Sequence, residues 1–196
     1  AGWQIILRSY DCGVIRLILL LLFLGVIGPS STRGGTPEEA LRIRSSYEKA
    51  LEEWAGKLAI AAPEEQLNVW ANRPVSSYHG GLMWNAIKGA LDQEWAIEYC
   101  VWLLERAPVY SVGREEGSAV SRAARIVEAL RAVHYRSAKV GMLCLALTSQ
   151  SDPAIMKVVE KVESQNPSGE VQGQAALAIA MMLKGLGDDP EIMEKR

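Results

Sequence analysis

The residues of this chain whose chemistry could serve catalysis or metal binding are few and far apart. Its two histidines are His79 and His134, and two cysteines, Cys100 and Cys144, follow the apolar segment near the N-terminus. A zinc site needs three or four converging ligands, and no Cys-x-x-Cys or His-Glu-x-x-His spacing occurs. The chain also lacks a Gly-rich phosphate loop and a Gly-x-Ser-x-Gly motif. We therefore expect no catalytic residue, no metal and no cofactor in this chain.

One short match to a catalytic pattern lies in a helical context. Ser46 and Lys49 have the Ser-x-x-Lys spacing of penicillin-binding enzymes, but the other elements of such a site are missing. We interpret the match as coincidence.

The two cysteines allow two interpretations. Cys100 and Cys144 are each flanked by apolar residues, where a free thiol behaves as a small hydrophobic side chain. In an oxidising compartment they could instead form one structural disulfide, which needs Cα atoms within about 7 Å of each other. The sequence leaves both open.

A candidate binding site follows Pro74. The stretch from Ser76 to Gly81 is polar and contains two glycines, which predicts a loop. Tyr78 and His79 lie in it and are our candidate binding residues. His134 is expected instead to stabilise a helix end.

Charge and composition narrow the class of partner. The formal net charge is −2, so nothing favours a polyphosphate ligand, and we expect no nucleic-acid binding. The composition is 49% hydrophobic and 22% charged, as in folded globular proteins. We expect a folded domain.

An apolar run near the N-terminus predicts export. Leu17 to Ile27 (LILLLLFLGVI) follows Arg16 and ends at a Gly-Pro pair, and it is shorter than the roughly 20 residues of a membrane-spanning helix. We interpret it as a signal peptide that directs the protein to the periplasm or cell envelope, with membrane contact through this segment alone. Residues 1–13 resemble upstream read-through, with Val14 as the start; the cleavage point stays open.

The remaining sequence predicts helices throughout. Apolar residues recur at three- and four-residue spacing, and no stretch shows sustained β-alternation. The predicted helices are Pro37 to Leu58, Pro63 to Ala71, Leu82 to Leu91, Gln93 to Ala107, Ser118 to His134, Ser137 to Thr148, Pro153 up to a turn at Asn166, and Val171 to Lys184. The class is all-α: antiparallel helix hairpins forming an irregular bundle or a short tetratricopeptide-like array. We expect the helix from Ser137 to be enclosed at the centre.

The predicted organisation has three parts. Residues 1–35 are an upstream extension, the signal-like segment and a linker; 36–187 form the α-helical domain; and 188–196 begin a following helix that is truncated. Asp152-Pro153 recurs as Asp189-Pro190, 37 residues later, which is near the length of a two-helix repeat.

The last third of the chain carries a family resemblance. The run Ser137 to Leu147 (SAKVGMLCLAL), then Asn166-Pro167 and the run Glu170 to Ala178 (EVQGQAALA), resembles the helical region preceding the redox domain in bacterial exported thioredoxin-like oxidoreductases of the redoxin and peroxiredoxin type. The resemblance implies that a thioredoxin fold with the active-site cysteine follows in the parent protein. None of the family's catalytic residues has a counterpart here.

These observations favour a non-catalytic interaction or spacer module whose partner is a protein, such as its own C-terminal redox domain. One alternative is a stand-alone helical-repeat envelope protein, which would self-associate. Another is a small exported enzyme, a hydrolase in the broad sense, that uses the Tyr78–His79 segment.

Overall fold

The first helix, α1 (Pro37–Ile60), begins where the sequence predicts. The computed structural model describes residues 35–150 and 152–185. The Thr36 hydroxyl accepts a hydrogen bond of 3.2 Å from the Glu39 amide, and Pro37 fits the first turn because its missing N–H would be unpaired there. The N-terminal half of α1 is anchored in the core by three buried side chains: Ala40, Ile43 and Tyr47.

Most of the remaining described chain is also helical. In order they are α2 (Pro63–Ala71), α3 (Ser76–Ile87), α4 (Ala96–Arg106), α5 (Pro108–Val112), α6 (Arg122–Ala129), α7 (Gly141–Ala146), α8 (Pro153–Gln165) and α9 (Gly169–Gly185). A π-helical turn, Leu130–His134, continues α6, and a 3-10 turn, Leu147–Ser149, continues α7. No strand occurs within the described residues, where a single β-bridge joins Arg114 to Ser121. The all-α prediction is confirmed.

The core lies where α4 and α9 meet α7. Helix α9 packs against α7 and α8, α4 packs against α3 and α7, and α1 packs against α3. Leu143 and Cys144 of α7 are almost completely buried, which agrees with a central position. Met142 is the exception in this helix, since its side chain is 51% exposed.

The predicted loop at Ser76 to Gly81 is wrong, since these residues form the first half of α3. Gly80 serves close packing instead of backbone freedom, because a Cβ there would lie 2.8 Å from the Cβ of Ala107, just before α5. A Cβ at Gly81 would lie at an ordinary contact distance, 3.5 Å from the Tyr110 hydroxyl. The close contact at Gly80 offsets the roughly 1 kcal/mol that a glycine costs a helix.

Other helix boundaries shift for local reasons. The helix predicted from Ser118 begins at Arg122, because the Ser121 hydroxyl accepts from the Ala124 amide at 3.1 Å and caps the helix. Val120 therefore stays outside the helix and is 47% exposed.

The helices form an irregular bundle. Those of the described part range from 5 to 24 residues and do not repeat in length. The signal-like run Leu17 to Ile27, the second Asp-Pro start at Asp189 and the segment 188–196 lie outside the described residues. Among the described helices, none combines the length and the apolar character needed to span a membrane.

Candidate functional site

Tyr78 and His79 lie side by side on α3 and do not form a flexible binding loop. The His79 ring contacts the rings of Tyr47 at 4.9 Å and of Tyr78 at 5.2 Å between centroids. Its Nδ1 atom donates to the carbonyl oxygen of Val75 at 3.3 Å. Tyr78 is 65% exposed. His79 therefore packs α3 onto α1, and Tyr78 projects from the surface.

Cys100 and Cys144 are both buried and present as free thiols. Burial raises the pKa of Cys100 to about 12, because the thiolate would be stripped of water. Burial raises the pKa of Cys144 to about 12 as well, although a backbone hydrogen bond opposes the shift. Both thiols stay protonated at neutral pH, so neither is an activated nucleophile.

His134 is buried and joins two segments of the fold. Its Nε2 atom donates to the carbonyl oxygen of Leu91 at 2.7 Å. The ring thereby ties the π-helical turn to the connection between α3 and α4.

A cleft of about 670 Å³ lies between α1, α4, α7 and α9. We call it the α4 cleft, because α4 and the residues just before it supply seven of its fifteen lining residues, more than any other helix. Its lining is Arg44, Glu48, Glu94, Trp95, Glu98, Val101, Trp102, Glu105, Arg106, Ala138, Lys139, Gly141, Met142, Glu170 and Gln174.

Two tryptophans give the α4 cleft an aromatic wall. Trp102 is 5% exposed and packs edge-on against Tyr47, with 5.5 Å between ring centroids. Its indole N–H has no hydrogen-bond partner among the described residues. Trp95 is half-buried and meets Tyr99 at 6.0 Å.

The opposite wall depends on a close approach of α7 and α9. A Cβ at Gly141 would lie 1.5 Å from Oε1 of Gln174. Glycine therefore lets the Gln174 side chain cross the start of α7, next to the half-exposed Met142.

The charges of the α4 cleft are partly paired. Arg44 and Glu48 form an ion pair at 2.8 Å, and Lys139 and Glu94 form one at 3.3 Å. The Ser137 hydroxyl donates to Glu94 at 2.6 Å, and this bond, followed by Lys139, lowers the pKa of the Glu94 carboxyl.

Three carboxylates of the cleft lack such a cation. Glu98, Glu105 and Glu170 have no ion-pair partner within the described residues, whereas Arg106 is the one cation of the lining in the same condition. The lining therefore carries five carboxylates against three cations, Arg44, Arg106 and Lys139. This excess of negative charge above an aromatic wall suits a cationic side chain with an apolar stem.

The sequence contained a signal for this cleft that motif searching does not detect. Trp95, Glu98, Trp102 and Glu105 recur at three- and four-residue spacing, so they share one face of α4 and its preceding turn. The other walls come from residues more than 30 positions away, which spacing alone cannot bring together.

A second, shallower concavity of about 930 Å³ lies beside the loop between α5 and α6. Three of its charged side chains pair with one another, whereas Asp92 and Glu116 have no ion pair within the described residues. Glu115 pairs with Lys88 at 3.3 Å and with Arg125 at 2.5 Å, while Arg125 lies over the Trp84 ring at 5.0 Å. We call these four residues the Glu115 clamp and assign it to holding the loop in place.

The described residues contain no cluster of three or more histidine, cysteine or acidic side chains placed to hold a metal ion. Comparison of the chain with protein-family models, curated proteins and solved structures finds no match to any of them.

Proposed function

We propose that the helical domain is a non-catalytic interaction module that binds a basic segment of a partner protein in the α4 cleft. The observation that carries the proposal is the pairing of an aromatic wall, Trp95 and Trp102, with the unpaired carboxylates Glu98, Glu105 and Glu170. The cleft volume of about 670 Å³ falls in the range of specific binding pockets.

Lysine and arginine side chains complement both features. Their aliphatic stems bury against apolar surface while the charged end reaches a carboxylate. A guanidinium over a tryptophan face gains further stabilisation. A protein segment can supply several such side chains, and Glu98 and Glu105 lie about two helical turns apart along α4.

We further propose that the module belongs to an exported thioredoxin-like oxidoreductase and contacts its redox domain. The resemblance supports this, and the segments that carry it also supply walls of the cleft through Lys139, Met142 and Gln174. The genomic reading frame beyond Arg196 tests whether the module belongs to such an oxidoreductase. A Trp-Cys-x-x-Cys or peroxiredoxin cysteine segment in frame supports it, and a stop codon directly after Arg196 contradicts it.

Export rests on the Leu17 to Ile27 segment and has its own test. A fusion of residues 1–36 to alkaline phosphatase, which is active only after export, should give activity in bacterial cells. Replacing Leu20 and Leu21 by arginine should abolish it. Activity that survives this change contradicts a signal function.

A titration tests the cleft. A short peptide of alternating arginine and leucine is added to the full chain while tryptophan emission is followed, with a glutamate-for-arginine peptide as charge control. We expect saturable binding of the basic peptide that weakens with salt, because surface charges are screened. Equal binding of the acidic peptide contradicts the proposal.

Matched variants locate the binding. Glu98→Gln with Glu105→Gln should weaken the basic peptide about tenfold, since each exposed pair contributes up to about 1 kcal/mol. Glu52→Gln with Glu53→Gln removes the same charge from the exposed face of α1, outside the cleft, and should leave binding unchanged. If both double variants lose the same affinity for the basic peptide, the binding depends on net charge alone and the proposed site in the α4 cleft is contradicted.

A further inference from the structure

Met142 has a singular place in the lining of the α4 cleft. Seven of the fifteen lining residues belong to α4 and the turn before it, and the other eight are charged, polar or small with the exception of Met142. The following residues of α7, Leu143 and Cys144, are almost completely buried, whereas the Met142 side chain reaches solvent. An aliphatic stem that lies against Trp95 or Trp102 therefore meets Met142 as the large apolar side chain on the other side of the cleft.

Its exposure also makes the Met142 thioether open to oxidation. A lone pair of the Sδ atom forms a bond to one oxygen of hydrogen peroxide, and the O–O bond breaks. The second oxygen leaves as water after it takes the proton of the transferred oxygen, so the thioether loses two electrons to the peroxide. The product, methionine sulfoxide, is polar where the thioether was apolar. Cys100 and Cys144 do not compete for the peroxide, because both thiols are buried.

We propose that Met142 is a reversible modification site, at which oxidation by a peroxide weakens binding in the α4 cleft. This inference rests on the proposed function and names a way in which that binding is regulated. The sulfoxide oxygen holds water, and an aliphatic stem packed against it would displace that water without replacing its hydrogen bonds. Methionine sulfoxide reductases remove the oxygen and so restore the apolar wall.

Another methionine provides a matched control. Met181 of α9 is 48% exposed, close to the 51% of Met142, but does not line the cleft. The two thioethers should therefore be oxidised at similar rates, and the oxidation of Met142 alone should change binding. Met83 and Met182 are buried and should stay reduced in the folded protein.

Treatment of the full chain with dilute hydrogen peroxide tests the proposal. Peptide mass spectrometry locates the added oxygen, and the affinity for the arginine–leucine peptide is measured before and after treatment. Wild type should bind at least about tenfold more weakly once Met142 is oxidised. Met142→Leu keeps an apolar side chain of similar volume that peroxide does not oxidise, so its affinity should not change on treatment. Met181→Leu should lose affinity as wild type does.

Reversal separates modification from damage. Reduction of the treated wild type by two methionine sulfoxide reductases, one for each sulfoxide epimer, should restore binding. Circular dichroism should show the same helical signal before and after oxidation, because the Met142 side chain is half-exposed.

Four results would overturn the inference. They are a Met142 that stays reduced while Met181 is oxidised, a Met142 sulfoxide that leaves the affinity unchanged, a Met142→Leu variant that loses affinity on treatment, and unfolding of the domain by the oxidation. Failure of the proposed function is distinguishable from these results, because untreated wild type would then not bind the basic peptide. That outcome would remove the regulation together with the binding.

Discussion

The side-chain amide of Asn166 donates a hydrogen bond of 2.8 Å to the main-chain carbonyl of Tyr135. The same nitrogen donates to the carbonyl of Ser137 at 2.9 Å, and the amide oxygen accepts from the Ser168 N–H at 2.9 Å. Asn166 is 2% exposed. Asn166, which lies between α8 and α9, therefore supplies hydrogen bonds to two main-chain carbonyls of the segment that leads into α7.

Replacing the Asn166 side-chain amide should reduce the stability of the fold. We expect Asn166→Ala to lower the free energy of unfolding by about 1–3 kcal/mol, because buried carbonyls lose their donor. Urea unfolding followed by circular dichroism measures it. The neighbouring exposed Gln165→Ala should change stability by less than about 0.5 kcal/mol. Equal effects of the two variants would contradict the assigned role.

The glycines of helices should separate into two classes. Gly80→Ala should destabilise by about 1 kcal/mol or more, since its Cβ would meet the Cβ of Ala107 at 2.8 Å and force α3 away from α5. Gly173→Ala in α9 meets nothing within 4 Å and should stabilise by about 0.5–1 kcal/mol through helix propensity. Thermal melts of both variants give the comparison, and a stabilised Gly80→Ala would refute the close-packing explanation.

These glycines also mark a limit of sequence reasoning. The helix starts predicted at Pro37 and Pro153 are confirmed, because the caps at Thr36 and Asp152 are local interactions within three residues. The loop predicted from Gly80 and Gly81 is wrong, because Gly80 is set by its close contact with Ala107, just before α5 and about 30 residues later in the chain. Local propensity carries no information about that contact.

The Glu115 clamp should make stability depend on pH. The Trp84 indole, whose N–H approaches the carboxylate without full hydrogen-bond geometry, lowers the pKa of Glu115 most, followed by Lys88. A carboxyl whose folded pKa lies below its ordinary 4.5 stabilises the fold above that value and loses this contribution as pH falls through the folded pKa.

We therefore expect Glu115→Gln to lower the melting temperature at pH 7 by about 2–4 °C, equivalent to about 1 kcal/mol. The difference from wild type should shrink as the pH is lowered below 4.5. Calorimetry of both proteins across this range measures it, with the exposed Glu116→Gln as control. A difference in melting temperature that increases as the pH is lowered would contradict the stabilising role of the Glu115 carboxylate.

The buried thiols should resist modification. With the pKa of Cys100 and Cys144 raised to about 12, iodoacetamide at pH 8 should label neither in the folded protein, and both should react once guanidinium unfolds it. Peptide mass spectrometry identifies the labelled positions. Rapid labelling of either cysteine under native conditions would contradict their burial.

The candidate site was less accessible to prediction than the fold. Residue type and an expected loop favour Tyr78 and His79, whereas the α4 cleft arises where four helices converge. Trp95 and Trp102 supply a common face on α4, but Gln174 reaches the cleft because Gly141 lacks a side chain. Convergence of this kind requires knowledge of the packing.

The most direct test of the proposed function follows the indole N–H signals in a ¹H–¹⁵N spectrum of the full chain during addition of the arginine–leucine peptide. The signals of Trp95 and Trp102 should shift progressively and saturate, while those of Trp54 and Trp84, which do not line the α4 cleft, should stay in place. Shifts confined to Trp54 or Trp84, or no shift at saturating peptide, would contradict binding in the α4 cleft.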